Sequence, residues 1–582
     1  MASPDHLTAS PSSTPPGRPP ATNSLVAGES LRAGARRARA WLTASATLIA
    51  VLLTIPLAVV ALSWLTPDGG AWAHIISTTL PDLLASSAWL VLMVGLGAAG
   101  IGTLAAWIVA RHDWQGRATI EWLLVLPLAM PAYVMAYAYT DLLQYAGPVQ
   151  SALREWFGWQ SKSDYWFFEI RSVGGAATML AFVLYPYVYL LARVAFLEQS
   201  STLTDAGRSF GYGRWALFWR VSLPLARPAI VAGTALVLME TLADYGTVSY
   251  FGVNTFTTGI FSAWFAQGDR VAAAKLATLL LAFVIVVLAI EHVARKQGRF
   301  ADQTTSRRSA PREQLRGASA VFASIVCLMP VLIGFVLPLL LLARLMWRDA
   351  DAVLAQASLR EFFELAWNSL SLATLTAALA VVLGLLLVYA VRLNGNPLTR
   401  SATRIAGMGY AIPGTIIAVG VLLPVTLVDH AIADAVSSVL DREVGLILTG
   451  GFAVLIYAYL IRFLSIAVQS TEAGFAKITP NMDSAARSLG ASNREIIFRV
   501  HAPLLRSSLI TAALMVFVDV MKELPATLVM RPFNFDTLAV RAYTFAKDER
   551  LAEASVAAIA IVLVGLLPVV FASRAITRDR TA

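Results

Sequence analysis

Asp205-Ala206-Gly207-Arg208-Ser209-Phe210-Gly211, followed after nine residues by Val221-Ser222-Leu223-Pro224, is a polar stretch that this chain carries twice. The second copy reads Ser484-Ala485-Ala486-Arg487-Ser488-Leu489-Gly490 and then Val500-His501-Ala502-Pro503. Gly490 follows Gly211 by 279 residues and Pro503 follows Pro224 by the same 279, so the internal spacing is identical. Around these loops the 582 residues are 57% hydrophobic and only 14% charged, with a mean hydropathy of +0.67. Such a chain is too apolar for a soluble multidomain protein and reads as an all-α polytopic membrane protein. Its single cysteine, Cys327, excludes an internal disulfide framework and a thiolate metal cluster. The net charge of +9 resides in Lys and Arg between apolar runs, without interleaved aromatics, which is a topology signal and not a nucleic-acid surface.

In chain order, residues 1–40 read as a disordered, basic cytoplasmic tail, rich in Ser, Thr, Pro, Gly and Ala up to about residue 34. A first half covers 41–294, with apolar runs near 41–65, 83–110, 120–143, 174–198, 228–250 and 272–294. A basic linker, 295–318, separates it from a second half, 319–575, with runs near 319–346, 366–391, 404–428, 446–468, 508–530 and 552–575. Residues 576–582 form a short tail, which gives about 12 spans in all. Arg111, Arg117, the Arg208/Arg214/Arg220/Arg227 set, the linker, Arg392/Arg400/Arg404, Lys477/Arg487/Arg494/Arg499/Arg506 and Arg574/Arg578/Arg580 all fall on one side. That side is expected to be cytoplasmic, with both termini on it. Segment 66–82 has no Lys or Arg and 429–445 is acidic, as suits the outside, although Arg531, Arg541, Lys547 and Arg550 dissent.

An even number of spans per half makes the halves two parallel six-helix repeats about an axis along the membrane normal. Ser87, Gly102 and Pro131 match Ser369, Gly384 and Pro413 at an offset of 282. Tyr187-Val188-Tyr189 matches Tyr457-Ala458-Tyr459 at 270, and Asp244, Phe256 and Thr258 match Glu523, Phe535 and Thr537 at 279. The offset changes only in loops, which tolerate insertions. Each polar loop itself reads as helix-turn-helix on the cytoplasmic surface. Asp205 caps a short helix, Gly211 permits a sharp bend, and Pro224 stands where a new helix begins.

The pattern acidic-Ala-small, three residues, Gly, nine residues, hydrophobic-x-Leu-Pro resembles the EAA loop of the permease subunits of ATP-binding-cassette importers. The resemblance implies docking of each loop into a cytoplasmic ATPase, through Asp205, Ala206, Gly207, Gly211, Val221, Leu223 and Pro224 in the first copy. In the second copy it implies Ala485, Ala486, Gly490, Val500 and Pro503, while Ser484 and Ala502 depart from the motif, so that this loop has lost its acid. No Gly-Lys pair occurs, so a phosphate-binding loop of the Walker type is absent and the chain is expected to be a transporter subunit and no enzyme. The implied partners are two copies of the ATPase, which uses the ATP, a periplasmic substrate-binding protein, and the lipid of a bacterial inner membrane. No cofactor is expected in the chain itself.

After each loop come paired acids, Glu240 with Asp244 and Asp519 with Glu523. Spacing i, i+4 places each pair on one helix face, either lining a wet translocation path or held in an ion pair, with Lys522 and Lys275 as candidate cations. Segments 240–248 with 255–259, and 522–527 with 531–539, narrow the resemblance to fused two-half iron(III) import permeases. Hard Fe³⁺ prefers oxygen ligands. The carboxylates and Tyr133, Tyr137, Tyr185, Tyr187, Tyr189, Tyr457 and Tyr459 suit a transient path without a stable metal site, although tyrosines in spans also serve packing. The same machinery could carry thiamine, a phosphonate or a polyamine, and a secondary transporter of six plus six helices is the alternative from another class.

Overall fold

The computed structural model describes residues 22–67, 71–199, 206–298, 312–350, 359–441 and 445–578. The first half contains α1 (Thr22–Leu62), α2 (Leu80–Arg111), α3 (Arg117–Leu123), α4 (Ala132–Leu143), α5 (Pro148–Phe157), α6 (Val173–Leu197), α7 (Leu223–Ala243), α8 (Gly246–Tyr250), α9 (Phe256–Phe261) and α10 (Arg270–Gly298). The second contains α11 (Ala318–Val331), α12 (Leu337–Arg348), α13 (Leu359–Asn394), α14 (Pro397–Ala406), α15 (Gly414–Leu440), α16 (Phe452–Phe475), α17 (Pro480–Ser488), α18 (Ala502–Met521), α19 (Pro525–Met530), α20 (Leu538–Lys547) and α21 (Leu551–Arg578). Among the described residues eleven helices are long and apolar enough to cross a membrane, or twelve with one bent pair, so the protein is an all-α polytopic membrane protein.

The bent pair corrects the span expected at 120–143. Residues 117–129 and 132–157 meet at 91°, because Pro131 is extended (φ −63, ψ 135) and cannot donate into a preceding turn. Pro413 is extended in the same way before α15. A second correction concerns the N-terminal tail. Helix α1 begins at Thr22, so the disorder expected over 1–40 does not hold for 22–40, where Ala, Leu and Arg favour helix; residues 1–21 lie outside the described set.

In each half three helices pack on one another: α2, α6 and α7 in the first, α13, α16 and α18 in the second. Small buried residues on α2, among them Ala98, Gly102, Ala105 and Ala106, let α6 approach closely. The leading helices cross over. Helix α1 lies on α13, α14 and α15, where the Asn394 amide donates to Thr43 Oγ1 (2.5 Å) and the Tyr457 hydroxyl donates to the Leu52 carbonyl. Helices α11 and α12 pack against α3 and α4, with Trp114 Nε1 donating to Ser324 Oγ (2.9 Å) and the Tyr139 hydroxyl to the Ile333 carbonyl (2.8 Å). The linker is tied down at its end: Glu313–Gln314 pairs in parallel with His112–Asp113.

Candidate functional site

Helix α7 stops at Ala243, and Asp244 is extended (φ −67, ψ 130). Its carboxylate accepts hydrogen bonds from Thr247 N (3.0 Å), Val248 N (3.1 Å) and Thr247 Oγ1 (2.9 Å), satisfying the first N–H groups of α8. Glu523 does the same one half later. After α18 ends at Met521, it accepts from Ala526 N (3.0 Å), Thr527 N (3.1 Å) and Thr527 Oγ1 (2.6 Å) at the start of α19. The two halves also match elsewhere: Ser87 Oγ accepts from Phe256 N (3.2 Å) and Ser369 Oγ from Leu538 N (2.8 Å). The i, i+4 pairing expected for Glu240 with Asp244 and for Asp519 with Glu523 is therefore corrected, because the helix ends between the members and the second acid of each pair caps the next helix.

The cations are also differently placed. Lys522 Nζ bonds Asp519 (2.8 Å) and not Glu523, and Lys275 lies over the rings of Trp64 and Trp72 (5.9 and 5.5 Å). In their place stands Arg462, at mid-length of α16. Its guanidinium lies 3.6 Å from Glu240 of the first half and 3.7 Å from Glu523 of the second. An arginine in a span costs roughly 2.5–3.5 kcal/mol on insertion scales, so these carboxylates are what make it tolerable. Gly414, at the start of α15, allows the approach: a Cβ there would sit 2.8 Å from Glu523 Oε1 and 3.3 Å from Arg462 Nη1.

These groups surround a cavity of about 120 Å³ lined by Glu240, Asp244, Asp519, Glu523, Arg462 and Lys522, together with Tyr133, Tyr187 and Tyr410. Four carboxylates against two cations leave an acidic excess of two. The Tyr133 hydroxyl is buried there with no hydrogen-bond partner among the described residues. Tyr187 and Tyr410, from opposite halves, face each other with hydroxyls 3.3 Å apart. Both also line a second, largely apolar cavity of about 490 Å³ with Met239, Met408, Ser465 and Gln469, which extends toward the polar-loop ends of the helices.

The polar loops share one geometry. Gly211 (φ +78) and Gly490 (φ +85) turn the chain in the left-handed region. Beyond each glycine the helix does not restart at the proline as expected. It runs through a π turn, Phe218–Ser222 or Ile496–His501, directly into α7 or α18. Pro224 and Pro503 lack the N–H an α-turn requires, and the wider turn accommodates them. Of the motif residues, Gly207 is buried beneath Leu217, Val221, Leu223, Ala486 and Val500 are partly covered, and Ala206, Gly211, Pro224, Ala485, Gly490 and Pro503 are exposed. Asp205 lies outside the described residues. Phe210, Trp215 and Trp219 on one loop and Leu489 and Phe498 on the other are exposed apolar side chains.

The loops are anchored differently. Arg208 of the first loop bonds Glu313 of the linker, and Gln199 Nε2 donates to the Ser222 carbonyl (2.8 Å). In the second, Asp483 accepts from Arg392 Nη2 (2.8 Å) and pairs with His501 Nε2 (2.7 Å), while His501 Nδ1 meets the Tyr389 hydroxyl. Burial alone would raise the Asp483 carboxyl, but the bonds from His501 and Arg392 outweigh it and hold its pKa below the usual carboxylate value. The acid that the motif lacks at Ser484 is thus present one residue earlier, facing inward.

Residues 98–299 match the family described as binding-protein-dependent transport system inner membrane component. The chain is 25% identical over 544 residues, 92% of its own length and 98% of the relative's, to the Fe(3+)-transport system permease protein FbpB 2 of Haemophilus influenzae. Residues 98–299 thus resemble a binding-protein-dependent transport permease. The permease is also 23% identical over 446 residues to the ferric transport system permease protein FbpB of Actinobacillus pleuropneumoniae, covering 73% of this chain and 61% of that one. Over 201 residues it is 27% identical to the molybdenum transport system permease protein ModB of Escherichia coli, covering 33% of this chain and 84% of the relative. It is a multi-pass inner-membrane subunit of a transporter that works with a substrate-binding protein and an ATPase, and is not itself an enzyme.

The permease places its expected path residues unequally. Glu240, Asp244, Asp519, Lys522 and Glu523 all reach the small cavity, as do Tyr133 and Tyr187. Tyr185 and Tyr189 instead donate to the Leu124 and Glu121 carbonyls (2.9 Å each), Tyr459 bonds Thr527 (2.5 Å), and Tyr137 packs on Tyr250. Arg462 and Tyr410 escaped the sequence pattern. Arg462 had a signal, since it is an isolated charge within the apolar run 446–468. Tyr410 had none, because its counterpart at the 282 offset is Leu128.

Proposed function

We propose that this permease forms the path by which an ATP-driven importer moves ferric iron, delivered by a periplasmic binding protein, across the inner membrane. The observation that carries the substrate is the small cavity between the halves, where four carboxylates outnumber two cations and an unpartnered tyrosine oxygen faces inward. Oxygen donors with a negative excess suit a hard cation, and the relatives that span most of the chain are named for ferric transport. The name of the molybdenum relative raises an oxyanion, which the acidic excess would repel.

In this reading the segments 206–224 and 480–503 face the cytoplasm, as do both termini, and dock two copies of an ATPase that holds and hydrolyses the ATP. Asp205 through Pro224 and Ala485 through Pro503 supply the docking surface, with the exposed aromatic side chains of each loop against the partner. Because each docking segment is continuous with α7 or α18 through its π turn, ATPase closure would move the helix that leads to Asp244 or Glu523. The two halves, with their matched caps, would then rotate about an axis along the membrane normal. The test is ⁵⁵Fe(III) uptake by cells lacking the gene and complemented with the parent chain or with Glu240→Gln. Uptake is expected from the parent and sharply reduced in the variant. Complementation that restores molybdate uptake but not iron would overturn the reading.

A further inference from the structure

We propose that Arg462 is a built-in substitute for the transported cation: it latches the two halves together across the small cavity and is displaced when substrate arrives. The inference rests on the reading of that cavity as a cation path and adds how the path is kept shut when empty.

The geometry is that of a shared counter-ion. One guanidinium lies 3.6 Å from Glu240 on α7 and 3.7 Å from Glu523 beyond α18, so a single cation bridges carboxylates contributed by opposite halves. Charge-assisted N–H···O bonds are typically about 2.7–2.9 Å. Both contacts are longer, so Arg462 is held by charge and not by a bidentate fork, and its Nε has no hydrogen-bond partner among the described residues although the side chain is only 10% exposed. Of its two partners, Glu523 is already saturated by the N–H groups of α19, whereas Glu240 has no other salt bridge among the described residues. Glu240 is therefore the arm of the latch that is free to exchange.

An entering cation of higher charge would compete for Glu240 and repel the guanidinium at the same time. Releasing Arg462 removes the ionic link between α7 and the α16–α18 pair at the level where the Tyr187 and Tyr410 hydroxyls also meet. Both α7 and α18 are continuous with the docking loops. Cavity occupancy is thereby reported to the ATPase through the same two helices, and an empty cavity restrains hydrolysis.

The test is ATP hydrolysis by the permease–ATPase complex in nanodiscs, first with neither binding protein nor iron present. Arg462→Gln and Glu240→Gln are each expected to raise this unstimulated rate about fivefold or more, Arg462→Lys less than twofold, and the double variant no more than either Gln variant alone. Unstimulated hydrolysis at the parent rate in both Gln variants, with the complex intact, would overturn the proposal, as would additive effects in the double variant. Should Arg462→Gln fail to assemble, the nearly isosteric Glu240→Gln decides by itself. Ferric-loaded binding protein is then added. It is expected to stimulate the parent and to leave Arg462→Gln near its already raised rate; full stimulation of that variant would contradict displacement. A parent that ignores ferric-loaded protein while Arg462→Gln still hydrolyses faster would refute the iron reading and leave the latch standing.

Discussion

Truncating Glu523 to Ala removes the acceptor for two backbone N–H groups at once. Ala526 N and Thr527 N donate to its carboxylate at 3.0 and 3.1 Å, and both residues are buried. A buried donor left without its partner costs about 1–3 kcal/mol, so the start of α19 should be weakened by at least about 2 kcal/mol. With about 1.4 kcal/mol per factor of ten, amide hydrogen exchange at Ala526 and Thr527 should accelerate roughly thirtyfold or more. Glu523→Gln keeps one acceptor oxygen and should accelerate exchange only about five- to tenfold, one donor being lost. Exchange followed by mass spectrometry on the permease in nanodiscs reads both, with Asp519→Asn as control, since Asp519 pairs with Lys522 and caps nothing. Unchanged exchange at 526–527 in Glu523→Ala would refute the capping role, and equal effects of Ala and Gln would refute its dependence on the number of acceptor oxygens.

Asp244→Ala should act likewise on the amides of Thr247 and Val248, which its carboxylate receives at 3.0 and 3.1 Å, and leave 526–527 untouched. At the loops, Gly211→Ala and Gly490→Ala place a Cβ in open space but at φ +78 and +85, so each should cost only the roughly 1–2 kcal/mol of left-handed backbone, lowering the thermal midpoint while ATPase co-purification persists. Gly211→Pro and Gly490→Pro, which forbid that conformation, should abolish co-purification. The Asp483 carboxyl is held below its usual pKa of about 3.9, so its contribution is complete above that value and fades as pH falls through the lower folded value. A spin label at Ser484 should therefore show greater mobility at pH 7 in Asp483→Asn than in the parent, because the bonds to Arg392 and His501 are weakened.

The spans were legible because an apolar run of about 20 residues is a one-dimensional signal. The polar loops were legible because they repeat at a fixed offset. Where helices end was harder to read. The run 228–250 is apolar apart from Glu240 and Asp244, yet α7 stops at Ala243 because the Asp244 side chain competes for the next N–H groups, and apolar periodicity does not register that competition. The i, i+4 rule holds within one helix and fails across a helix end, so it does not predict the partners of Glu240 and Asp519. Pro224 and Pro503 lie inside continuous helices and not at helix starts, and the π turns that carry them leave no trace in composition. The crossing of α1 onto the second half depends on tertiary contacts such as Asn394 with Thr43, 351 residues apart, which no local pattern encodes.

Uptake by the permease reconstituted in proteoliposomes with its ATPase and binding protein is the most direct measurement. With ATP inside and no ion gradient, ⁵⁵Fe(III) should accumulate while molybdate and sulfate do not. Accumulation of either oxyanion in place of iron, or iron movement driven by a proton gradient without ATP, would contradict a cation path coupled through the two loops.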